Sequence, residues 1–257
     1  MKRLTNLQHA ESPALARERP FGKEQRFVIG LDLEWTKNYR IKNGNQVFCY
    51  SLTFVPLPQS PNSLAQGLQR VGFRSVYTEQ TSEMPTLLQE LDADLAPLMG
   101  DGNLFAGHQL CSDLAVALAC AQSRLENVEL LREAWRSRSD AITSPRVIDT
   151  RFDMGEHLPG LKSRRLVDVC NFLKLGVEQP ELRGSSMTAM HRKFLETGDE
   201  RFYEKLAILN LRHGLSTAVL ALIAVGLAKP EALDINPVIS EHLWDLCEYV
   251  ASPQFPH

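Results

Sequence analysis

The chain has 257 residues, a formal net charge of −3, 44% hydrophobic residues and 23% charged ones, the profile of a globular protein with room for one substantial core. That balance excludes a strongly basic protein that coats nucleic acid, but it leaves room for a nuclease, whose carboxylate site is itself acidic. Five cysteines (Cys49, Cys111, Cys120, Cys170, Cys247) form no CxxC pair, which argues against structural zinc and against a secreted disulfide framework.

Residues 1–26 are polar and carry Arg17, Arg19, Lys23 and Arg26 near their end. Without the apolar stretch of a signal peptide they read as a flexible tail, or a first helix, of a cytoplasmic protein. Phe27, Val28, Ile29, Leu31 and Leu33 then predict a strand over 27–34 that is covered on both faces. Asp32 and Glu34 interrupt it. Two residues apart, they project to the same side, and a buried pair of like charges calls for a cation. Asn43-Gly44 signals a turn, Val47 to Val55 a second strand, and the stretch around 70–79 a third.

Leu87, Leu88, Leu91, Leu95 and Leu98 recur at helical spacing, with Asp92 and Asp94 expected on the solvated side. Asn103 to His108 reads as a short strand running into a helix capped near Ser112. A helix over 127–136, a strand over 146–150 and a helix stopping at Gly176 follow. Two more helices cover SMTAMHRKFLETG and the long run from Asp199 to Leu227, which packs Leu206, Leu209, Val219, Leu220 and Ile223 against the sheet and is ended by Pro230. A last helix lies in NPVISEHLWDLCEYV. The longest apolar stretch, Leu215 to Ala228, is too short to span a bilayer comfortably, so no membrane partner is expected. The order of elements implies an α/β domain at 27–230, a mixed sheet with helices on both faces, followed by a C-terminal helix and tail at 231–257.

A D-x-E tripeptide occurs readily by chance. The second motif, GHQLCSDL (Gly107 to Leu114), gives it context: a strand ends at Gly107-His108 and Asp113 falls at the start of the next helix. Together these resemble the DEDD superfamily of 3′-to-5′ exonucleases, which have the ribonuclease H-like fold and whose second motif commonly reads GHN-x-x-F-D-L. Gln109 and Ser112 stand where Asn and Phe are usual. VIDT (Val147 to Thr150) followed by a Leu-rich helix is similar as well, and the resemblance spans roughly 27–228. The third motif departs. The families place their last Asp four residues before a Thr that opens a small and apolar stretch; four before Thr217 stands His213. Leu209 and Ile208 occupy the positions of the families' tyrosine or histidine base, leaving His191 or Tyr203 as replacements from elsewhere in the fold.

The resemblance implies a 3′-to-5′ exonuclease that holds two Mg²⁺ or Mn²⁺ ions roughly 3.5–4 Å apart through Asp32, Glu34, Asp113 and His213. The first three are hard oxygen ligands, whereas an imidazole favours manganese. Its partner would be the single-stranded 3′ end of DNA or RNA, met by Trp35, His108, Gln109, Lys162 and Arg164. Trp35 would stack on a terminal base, and two basic sets, Lys37, Arg40 and Lys42, and Lys162, Arg164 and Arg165, would track phosphates. A homodimer is left open. The absent third-motif Asp equally fits a degenerate relative that binds nucleic-acid ends, or serves as an interaction scaffold, without cutting. Residues 178–200 have no counterpart in the families and read as a loop and helix shaping access to the site. Asp149 and Asp168 are expected to support the fold.

Overall fold

The computed structural model describes residues 1–7, 26–38, 44–58, 64–100, 102–140, 145–230 and 232–256. Residues 8–25 of the expected tail, Arg40, Lys42 and Asn43 of the expected turn lie outside them. Six strands form one mixed sheet: β1 (Lys2–Thr5), β2 (Phe27–Asn38), β3 (Gly44–Pro56), β4 (Gly72–Tyr77), β5 (Leu104–Gly107) and β6 (Arg146–Asp149), in the order β1-β4-β3-β2-β5-β6. β1, β4, β3 and β2 pair antiparallel, and β2, β5 and β6 run parallel. The helices are α1 (Leu64–Leu68), α2 (Met84–Leu95), α3 (Leu110–Cys120), α4 (Glu126–Arg136), α5 (Leu166–Phe172), α6 (Met187–Thr197), α7 (Glu200–Ala224) and α8 (Ile235–Leu243). A small parallel pair, β7 (Leu175–Gly176) and β8 (Leu233–Asp234), joins the segment after α5 to the one before α8.

The alternation along β2 separates two cores. Phe27, Ile29, Leu31 and Leu33 pack with Leu87, Leu91, Leu114, Val128 and Leu131 of α2, α3 and α4 on one face. Val28, with Leu104 and Ala106, packs with α7 and with Ile235 and Ile239 of α8 on the other. Gly30, Asp32 and Glu34 share Val28's side of the strand. The two acidic residues therefore point at α7.

A pair of glycines lets that helix come close. A Cβ at Gly30 would lie 2.0 Å from the Gly214 carbonyl oxygen and 2.5 Å from Thr53 Oγ1, so α7 and β2 meet backbone to backbone. The five residues expected to face the sheet from α7 are buried, but so is most of the helix's circumference, because α5, α6 and α8 cover its outer side. An 18-residue window of α7 is long and apolar enough to cross a membrane, and 94% of it is buried within the fold.

Several sequence readings need correction. Residues 1–26 are not tail throughout: Lys2–Thr5 adds an edge strand to β4, and Leu4 enters the core. Asp94 is not solvated. It is fully buried, accepting from the Tyr50 hydroxyl at 2.6 Å and pairing with Arg74 Nε at 2.5 Å, because α2 lays that face on the sheet. Asp92 instead caps α4, accepting from the backbone N–H groups of Asn127 and Val128. α3 begins at Leu110 rather than near Ser112, and α8 stops at Leu243. Four cysteines are buried and Cys111 is half-buried.

Candidate functional site

Asp32 and Glu34 lie midway along β2, just past Gly30, its last residue paired with β5, and the register against β3 shifts immediately after Glu34. Such a bulge re-aims the side chains beside it. His213 arrives from α7, one residue before the close-packed Gly214. Its Nδ1 lies 3.3 Å from Asp32 Oδ2 and 3.5 Å from Glu34 Oε1. One donor atom from each of the three falls within 4.8 Å of the others. The sequence position four before Thr217 thus delivers its residue to the carboxylates even though it is His and not Asp.

Asp113 stands outside that trio but faces the same cleft, an open depression of about 560 Å³ whose walls include Asp32, Glu34, Trp35, Asp113 and Thr188. It is 4% exposed, and its Oδ2 has no hydrogen-bond partner within the chain, so that this oxygen is free to meet a group in the cleft. Burial, then the charges of Asp32, Glu34 and Asp149, push its carboxyl well above the usual range. Burial also raises Glu34, to about 7, with Asp32 adding to the shift and the His213 hydrogen bond opposing it. For His213 burial disfavours charge, but hydrogen bonds and charges from Asp32 and Glu34 outweigh it and raise the imidazole to about 10.

The strand-to-helix junction that carries Asp113 is built by Asp149. Gln109 adopts φ +67°, ψ +37° as the N-cap of α3, a left-handed conformation that costs a non-glycine residue energy. Its backbone N–H donates to Asp149 Oδ1 at 2.9 Å, while Trp135 Nε1 donates to Asp149 Oδ2 at 2.9 Å. Asp149 thus supports the fold, as the sequence suggests, and Asp168 does so through Arg165 and Ser163.

The remaining predicted residues fare unevenly. Trp35 and Gln109 line the cleft, with Trp35 also packed against the α2–α4 core. His108 lines it too, yet its Nδ1 is 3.0 Å from the Thr150 hydroxyl and its Nε2 donates to the Arg164 carbonyl at 2.8 Å. It fastens the Lys162–Arg165 stretch beside the site and has no ring nitrogen to spare. Lys162 is exposed and Arg164 half-buried, and neither is part of the cleft wall. His191 and Tyr203, the proposed substitutes for a base, lie elsewhere: His191 stacks on Phe48 with ring centroids 4.1 Å apart, and Tyr203 packs against Tyr77 and Phe194.

Two partners escaped sequence reading. Asn210 Nδ2 donates to Asp32 Oδ2 at 2.6 Å, and Gln179 Nε2 lies 2.9 Å from His213 Nε2. Asn210 left a signal, since an amide between apolar residues of a buried helix must find a partner. Gln179 left none. Its loop is pinned by Glu181, which makes a bidentate ion pair with Arg212 at 2.8 and 3.0 Å, both side chains fully buried. The segment after residue 178 therefore does border the site, with Thr188 of α6 on the cleft wall. The chain matches no protein-family model, no curated protein and no solved structure.

Proposed function

We propose that the protein is a divalent-metal-dependent 3′-to-5′ exonuclease with a ribonuclease H-like fold. The observation that carries this reading is the convergence of Asp32, Glu34 and His213, with donor atoms within 4.8 Å of one another, beside the unpartnered buried oxygen of Asp113. The donor set fits Mg²⁺ or, with an imidazole in it, Mn²⁺. Asp32, Glu34 and His213 would hold one ion, and Asp113 would complete the site or hold a second. When bound, such ions polarise water and neutralise charge on the leaving oxygen of a phosphodiester.

The chain's own residues supply the rest. Asn210 fixes Asp32, Asp149 fixes the α3 start and with it Asp113, and Trp35 offers an aromatic face for a terminal base. The expected substrate is a single-stranded 3′ end. The test is nucleotide release from 3′- and 5′-labelled DNA and RNA strands with Mn²⁺ and with Mg²⁺. The expected result is 3′-first release that Asp32→Ala lowers at least about a hundredfold, in line with removal of a group that stabilises charge at the reacting centre; unchanged release by that variant would refute the assignment.

One observation favours a second reading. His213 can itself serve as the cation between Asp32 and Glu34, at 3.3 and 3.5 Å, so the carboxylates have a partner without any metal. On that reading the protein binds nucleic-acid ends, or acts as a scaffold, without cutting. Single-strand binding with no product across several divalent ions is its signature, and turnover with any of them ends it.

A further inference from the structure

The His213 ring is held from two sides. Nδ1 faces Asp32 and Glu34, while Nε2 lies 2.9 Å from the side-chain amide of Gln179. A side-chain amide can turn over, exchanging an N–H donor for a carbonyl acceptor at nearly the same place. With the amine toward Nε2, the ring proton of a neutral imidazole sits on Nδ1 and is donated to the carboxylates. With the carbonyl toward Nε2, the proton is held at Nε2, and Nδ1 presents a lone pair between two carboxylates. The second arrangement is the one that ligates a cation, because a ligating histidine commonly donates its other ring N–H to an oxygen.

We propose that Gln179 is a positioning residue that sets the tautomer of His213, and through it decides whether Nδ1 joins Asp32 and Glu34 around a divalent cation; this rests on the metal reading above. The surroundings suit that role. Arg212, next to His213 on α7, and Glu181, two residues after Gln179, form the fully buried bidentate pair, and Arg212 Nε also donates to Asn236 Oδ1 at 2.8 Å. The Gln179 backbone is thereby tied to the helix that carries His213, while the residue itself is only half-buried. Substitution there leaves the buried pair intact, so the fold should tolerate it.

The experiment compares the full chain with Gln179→Leu and Gln179→Glu by Mn²⁺ titration calorimetry. Glu, as a carboxylate, can only accept, whereas Leu can do neither. The expected result is Mn²⁺ affinity weakened about 10–100-fold in Gln179→Leu and kept or improved in Gln179→Glu, whose carboxylate accepts from Nε2–H. Wild-type affinity in Gln179→Leu, or an equal loss in both variants, overturns the role of Gln179 and leaves the metal reading standing. No Mn²⁺ binding by the wild type overturns both.

Discussion

His191 shows how little a residue's type says about its task. It is 7% exposed, with Phe48 stacked on its face and the Tyr77 hydroxyl 2.5 Å from its Nδ1. Burial lowers the imidazole from 6.5 to about 4, and the neutral ring shares a hydrogen bond with the Tyr77 hydroxyl. The unfolded chain therefore binds a proton between pH 6.5 and 4 that the folded chain refuses. Stability is full above pH 6.5 and falls as the pH drops toward 4, by on the order of 1–3 kcal/mol. His191→Phe should be less stable at pH 7, because it strands the Tyr77 hydroxyl, yet lose less on acidification. Urea midpoints at pH 7 and pH 4.5 check this, and an equal drop in both proteins would contradict it. The same residue type at position 213 has the opposite shift, upward, because Asp32 and Glu34 face it where Phe48 and Tyr77 face His191.

Among the elements, β2 and α7 decide the site, and their glycines decide how they meet. Gly30→Ala would drive a Cβ to 2.0 Å from a backbone oxygen that has nowhere to go. A loss of about 3 kcal/mol or more is expected, at the upper end of the usual cost of overpacking. Nearest to a Cβ in Gly214→Ala are the Thr53 methyl at 3.3 Å and the Gly30 oxygen and Thr53 Oγ1 at 3.4 Å. There the gain of about 1 kcal/mol in helix propensity offsets much of the crowding. Equilibrium unfolding of the two variants should separate them clearly. Comparable losses would mean that the approach of helix to strand is looser than these distances require.

At the scale of the whole molecule, legibility followed the strength of local patterns. β2 was readable because five apolar residues outline it, and Asp32 and Glu34 were readable because they break that outline. Asp113 in the first turn of α3 and His213 four before Thr217 are singled out by the motifs of the exonuclease resemblance, not by any local apolar pattern. Lys2–Thr5 was missed because a four-residue edge strand with two basic residues has no pattern to distinguish it from a tail. Asp94 was misjudged because helical periodicity marks which face is apolar, not whether Arg74 and Tyr50 wait across from the polar edge. Gln179 and Asn210 depend on contacts 34 and 178 residues away along the chain, and no local pattern carries such pairings.

The central claim is that Asp32, Glu34 and His213 form one cation site. Calorimetric titration of Mn²⁺ into wild type, Asp32→Ala and His213→Ala tests it most directly. The metal reading predicts a tight site in the wild type, with both substitutions weakening it at least about tenfold, a loss of roughly 1.4 kcal/mol or more in binding free energy. Binding in His213→Ala that equals or exceeds that of the wild type would contradict the claim, since the imidazole would then be competing with the metal for the carboxylates and not holding it beside them.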